Sequence, residues 1–150
     1  MNLRGYNFVS ICKILPERNA DGLIIEFQPQ SRYKNRKAII LNKYGTGRFC
    51  RFRIPSNINQ SGVYVITVNR KCQYVGECED LSSRYNMGYG QISPRNCFVG
   101  GQETNCRINK LILREACTGK EIRLWFFKTA NYKKIERKLR ENLLWPWNRT

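Results

Sequence analysis

The sequence predicts a mixed α/β fold of the α+β kind: a small three-stranded antiparallel sheet flanked by helices, preceded by a mostly β N-terminal segment. Three observations predict it. Two β-branched runs, Gly62 to Val68 and the stretch around Tyr74-Val75-Gly76, flank a turn carrying Asn69-Arg70-Lys71. A third run, Glu121 to Thr129, is centred on Leu124-Trp125-Phe126-Phe127 and has the length of a strand. Two apolar sets, Ile108-Leu111-Ile112-Ala116 and Tyr132-Ile135-Leu139-Leu143, recur at helical spacing.

Element by element, residues 1–30 read as strand, turn, strand: Tyr6 to Leu15, Pro16 to Gly22, then Leu23 to Phe27. Arg32 to Lys37 is a basic loop, Ala38 to Leu41 a strand, and Asn42 to Gly47 a tight turn. Arg48 to Ile54 alternates strictly, which predicts a strand with aromatic residues inward and arginines outward. Arg51 and Arg53, with Lys34, Arg36 and Lys37 nearby, then form a phosphate-gripping surface. After the hairpin, Glu77 to Tyr85 predicts a short helix carrying Arg84, with Asp80 or Ser82 as its cap. Asn86 to Thr104 is rich in Gly, Asn, Ser and Pro, and a loop of that length is uncommon without a function. It carries Tyr89 and Arg95 toward a substrate. Helix Asn105 to Cys117 follows, stopped by Gly119, with Arg107, Lys110 and Arg114 off its apolar stripe. The last helix spans Tyr132 to Leu144.

At 150 residues the chain suits one domain with a small N-terminal extension packed on it. Its 27 Lys and Arg against 11 Asp and Glu leave a formal charge of +16, which points to a polyanion, nucleic acid before a membrane surface. Residues 1–55 hold 11 basic against 3 acidic side chains, residues 101–150 hold 12 against 5, and the middle stretch 4 against 3. Charged flanks therefore surround a nearly neutral centre. The seven cysteines form no CxxC pair, which argues against a structural zinc site, and their odd number against a disulfide scaffold. Met1-Asn2-Leu3-Arg4 opens no hydrophobic run and no segment is apolar enough to span a bilayer, so the expected location is cytoplasmic with reduced thiols. Histidine is absent, which excludes Ser-His-Asp and Cys-His nucleophile systems. A general base must come from tyrosine, carboxylate, lysine or metal-bound water.

Gly62-Val63-Tyr64 and Tyr74-Val75-Gly76, followed by Arg84, resemble the GIY-YIG endonuclease superfamily, with valine for isoleucine in each triplet. The resemblance covers roughly residues 60–150, dividing the chain into a basic β-rich extension (1–57) and a nuclease domain (58–150). It implies a metal-dependent DNA endonuclease that hydrolyses phosphodiester bonds, of the restriction or mobile-element type. It further implies Tyr64 as candidate general base, Tyr74 as a positioning hydroxyl and Arg84 on the non-bridging phosphate oxygens. A glutamate on a later helix binds the divalent metal, Mg²⁺ or Mn²⁺, with an asparagine after it. Helical phase selects the glutamate. At about 100° per residue, Tyr132, Ile135, Leu139 and Leu143 span about 80°, with Glu136 about 20° beyond that arc and Glu141 about 160° beyond it. Glu136 is therefore the metal ligand, and Asn148 matches the trailing asparagine. In many relatives a histidine or tyrosine follows the arginine by four residues. That position is Gly88 here, so Tyr85 or Tyr89 must stand in. Glu77 reads as a solvated charge. Arg107 and Lys110 complete the expected DNA contacts. A double-strand break requires a homodimer or two successive nicks, and a catalytically silent DNA-binding module is the alternative.

Overall fold

Two apolar stripes on separate helices need two sheet faces, and one antiparallel sheet supplies both. In the computed structural model of the chain, which describes residues 1–32 and 38–149, the elements are β1 (Asn2–Leu3), β2 (Tyr6–Asn7), β3 (Val9–Lys13), β4 (Gly62–Val68), β5 (Lys71–Cys78), α1 (Leu81–Arg84), α2 (Glu103–Cys117), β6 (Ile122–Lys128) and α3 (Tyr132–Asn142). A π-helical turn over Tyr85–Tyr89 and a 3-10 turn over Pro94–Cys97 lie between α1 and α2.

The main sheet has four strands, ordered β3-β6-β4-β5, with every neighbouring pair antiparallel. The sequence predicts three. The fourth, β3, comes from the N-terminal segment and pairs along β6, from Val9 opposite Phe126 to Lys13 opposite Arg123. That pairing spans more than a hundred residues of chain, so no local pattern could announce it. All seven residues of β4 are buried. Tyr64, Ile66 and Val68 pack with Ile108, Ile112 and Ala116 of α2 on one face. Val63, Val65 and Val75 pack with Ile135 and Leu139 of α3, Phe8 and Trp145 on the other. A strand covered on both faces reads as a continuous β-branched run.

Three expected strands are absent. Leu23 to Phe27, Ala38 to Leu41 and Arg48 to Ile54 contribute only isolated bridges: Arg18 with Ile24, Phe27 with Phe49, and Leu41 with Phe98. The reason is visible in the hydrogen bonds of residues 49–54. Phe49 donates to the Phe27 carbonyl (2.9 Å), Cys50 to Asn109 Oδ1 (2.9 Å), Phe52 to the Gly90 carbonyl (3.1 Å) and Ile54 to Asn86 Oδ1 (2.8 Å). Four different partners satisfy the backbone, so no ladder forms. Phe49, Phe52 and Ile54 are nonetheless buried, and Phe52 and Ile54 share a core with Tyr64 and Tyr85.

Local signals place the helices. Asp80 caps α1 by accepting from the Ser83 N–H (2.7 Å), while Glu77 and Cys78 remain on β5. Among the described residues no helix is long and apolar enough to cross a membrane. All seven cysteines are free thiols.

Candidate active site

Gly76 makes the site possible. A Cβ there would lie 2.4 Å from the Tyr64 hydroxyl and 2.5 Å from its ring, so the missing side chain is the space the Tyr64 phenol occupies. Gly62 similarly leaves room for the Phe126 ring and the Phe127 carbonyl, at 2.5 and 2.4 Å. Both glycines admit the protein's own groups.

Tyr64 projects from β4, Tyr74 from β5, and Arg84 from the end of α1. Their hydroxyls and guanidinium meet at Tyr89. Its hydroxyl lies 2.8 Å from that of Tyr64 and 3.3 Å from that of Tyr74, and accepts from Arg84 Nη2 at 2.8 Å. Arg84 Nε also donates to the Tyr64 hydroxyl (3.4 Å), and the guanidinium lies 4.4 Å from the Tyr89 ring centre. Tyr85 packs edge-on against Tyr64 and Tyr89, with its own hydroxyl buried and unbonded among the described residues.

The π turn resolves the one-residue displacement of Tyr89. The Gly90 N–H donates to the Tyr85 carbonyl (2.7 Å), a bond across five residues. An α-helix would turn a residue five positions after Arg84 away from it, and the wider π turn brings Tyr89 back. Tyr89 is completely buried, so it does not project from a loop as a DNA contact. Asn109, on α2, holds this turn: its fully buried amide donates to the carbonyls of Tyr89 (2.7 Å) and Cys50 (2.8 Å). Nothing in the sequence marks Asn109 except a polar residue one position after the apolar Ile108.

Burial governs the chemistry of the phenols. It pushes the Tyr64 and Tyr74 hydroxyls well above the ordinary phenol range, the neighbouring tyrosines add to that, and Arg84 opposes it only in part. The pull of the Arg84 charge toward the Tyr64 phenolate is therefore outweighed by desolvation.

Glu136 lies elsewhere. α3 packs on the sheet face opposite the tyrosines, and its Glu136 carboxylate, 15% exposed, lies 3.6 Å from Arg140 Nη1. With Asn148 and Glu77 it lines a cavity of about 570 Å³. A second cavity beside Arg84 also includes Glu77 and Lys133, so the two meet around the edge of β5. Glu77 is half-buried at that junction. Burial raises the Glu136 carboxyl above its ordinary value, and the Glu77 charge raises it further against Arg140. Lys133, Arg137, Arg140 and Arg149 line the same cavity, so a divalent cation would be held there by the Glu136 carboxylate and waters against neighbouring positive charge. Among the described residues no three His, Cys, Asp or Glu side chains converge as a metal cage. Glu141 is exposed at the outer rim of the same cavity.

Asn148 has a different task from the one expected. Its Oδ1 accepts from the Val75 N–H (3.0 Å) and its Nδ2 donates to the Val75 carbonyl (2.8 Å), while the Trp147 N–H donates to the Gln73 carbonyl (2.8 Å). The C-terminal segment thus covers the free edge of β5. Asn148→Ala should lower stability to denaturant by about 1–2 kcal/mol, since it leaves two partly buried backbone groups without partners; an unchanged midpoint would show that water replaces the amide.

The expected DNA contacts divide. Arg53 and Arg95 are exposed. The Arg51 guanidinium stacks 4.3 Å from the Phe27 ring centre. Arg107 donates to the Trp147 carbonyl in a partly buried position, and Lys110 donates to that of Thr46 at the surface. Lys34, Arg36 and Lys37 lie outside the described residues. Comparison with protein-family models, curated proteins and solved structures returns no match.

Proposed function

We propose that this chain is a metal-dependent endonuclease of the GIY-YIG type, acting on DNA phosphodiester bonds. The observation that carries the reading is the hydrogen-bonded set of Tyr64, Tyr74, Tyr89 and Arg84, beside a cavity that shares Glu77 and Lys133 with the one lined by Glu136. Four chemically capable side chains from three segments converge there, and the basic chain favours a polyanionic substrate.

In this reading Arg84, half-exposed and held by two phenols, presents its remaining donors to the non-bridging oxygens, where charge gathers in the transition state. Tyr89 fixes the Arg84 fork and the Tyr64 hydroxyl together. Tyr74 orients the attacking water, and Tyr64 takes its proton. Glu136 would hold the divalent ion, which supplies Lewis-acid neutralisation of the phosphate when bound. The plasmid assay decides: supercoiled DNA is nicked with Mg²⁺ or Mn²⁺ and not with EDTA. Burial of Tyr64 and the placement of Glu136 on the opposite face favour the second reading, a silent DNA-binding module. Binding without nicking in any divalent metal would establish that one.

The pH profile tests Tyr64. A base acts through its deprotonated form, and this phenol is held above its ordinary value of 10.0, so activity should climb with pH through the whole alkaline range without a plateau. On the acid side, activity should fall away above the ordinary carboxyl value of 4.5, because the Glu136 carboxyl is raised. Tyr64→Phe keeps the ring, and should remain folded yet lose most of its rate and the alkaline slope. Full activity with the same profile would place the base elsewhere.

A further inference from the structure

The exposed surface of α3 is charged in a way that its own stability does not explain. Lys133 and Lys134 occupy the first turn, where the helix dipole disfavours cations, and that turn contains no acidic residue. Arg137 and Lys138 follow one turn later, so the four side chains occupy an arc of about 140° on the exposed side. Glu26, Glu103, Glu115, Glu121 and Glu136 each hold a basic partner within 4.0 Å, yet none of the described acidic groups forms such a pair with Lys133, Lys134, Arg137 or Lys138. Lys133 and Arg137 also line the cavity that contains Glu136, whereas Lys134 and Lys138 lie further around the helix. A row of four uncompensated cations thus leads to the mouth of the candidate metal site.

We infer that α3 is the helix that grips the nucleic-acid backbone, with Lys133, Lys134, Arg137 and Lys138 on successive phosphates and the strand entering the Glu136 cavity from that side. This rests on the nucleic-acid part of the proposed function and assigns its binding face. It also moves that face away from Arg107 and Lys110, each of which donates to a backbone carbonyl of its own chain. A membrane surface is the competing polyanion. Its headgroups would meet the same cations but would need no adjoining carboxylate cavity.

The test compares two variants of equal charge by salt-dependent binding of a fluorescein-labelled DNA duplex. One carries Lys133→Gln, Lys134→Gln, Arg137→Gln and Lys138→Gln. The other carries Arg18→Gln, Lys43→Gln, Arg70→Gln and Lys71→Gln, all at exposed positions. Each phosphate contact contributes about 0.9 to the slope of log K against log salt, so the α3 variant should lose about 3 to 4 units of slope and the other little. Circular dichroism confirms that both are folded. An unchanged slope in the α3 variant, or an equal loss in both, overturns the inference. So does wild-type binding to phosphatidylserine vesicles with none to the duplex. Plasmid nicking by the wild-type protein is scored separately. If nicking is absent while the α3 variant loses its slope, the binding face stands and the nuclease reading fails.

Discussion

Arg84→Ala and Glu136→Ala should each abolish plasmid nicking, by at least about 10²-fold, while affinity for duplex DNA should stay within a few-fold of wild type. In the proposed nuclease the guanidinium would act where charge develops in the transition state, and its loss leaves two phenols without their donor. The carboxylate acts through the ion it would hold. Glu136→Gln separates this from unfolding. The carboxyl is raised in the folded protein, so the fold holds the proton more tightly than the open chain does and disfavours the ionised group at neutral pH. The neutral amide should therefore melt no lower than wild type at pH 7 and still be inactive. Glu141→Ala, at the exposed rim, should cleave normally. An inactive Glu141→Ala beside an active Glu136→Ala would overturn the assignment of the metal ligand.

Gly76→Ala should be strongly destabilising. Its Cβ would need to sit 2.4 Å from the Tyr64 hydroxyl and 2.5 Å from the ring, against a side chain 1% exposed. Overpacking of that kind costs about 1–3 kcal/mol. Displacement of Tyr64 also breaks its 2.8 Å contact with Tyr89, so nicking should fall with stability. Urea unfolding gives the measurement, and a double-mutant cycle with Tyr64→Leu gives the cause. The shorter side chain should make the alanine much less costly, with a coupling of about 1 kcal/mol or more. Additive effects would mean that the strand gives way and not the phenol.

Residues close in sequence carried most of what could be read without a structure. The Asn69-Arg70 turn has both φ angles positive, at 45° and 68°, as a two-residue hairpin requires, and the β-branched residues on either side form β4 and β5. Apolar spacing located α2 and α3, and buries Ile135 and Leu139 while leaving Glu141 exposed. Arg48 to Ile54 shows the limit. Its alternation marked which side chains are buried, but a period of two states only that a backbone is extended. Whether it joins a ladder depends on an unpaired neighbour within reach.

By itself, then, the sequence determined an α+β chain with a tight β4–β5 hairpin, two amphipathic helices, and a net charge of +16. Only the tertiary structure decided that β3 closes the sheet against β6, that a π turn held by Asn109 brings Tyr89 between Tyr64, Tyr74 and Arg84, and that Asn148 clamps the β5 edge. The division has a physical cause. Turn angles, helix phase and net charge are set by neighbours a few residues apart, where backbone sterics and side-chain periodicity act directly. Strand partners, the choice of helix geometry and the meeting of two cavities around one strand edge are set by groups that only packing brings together.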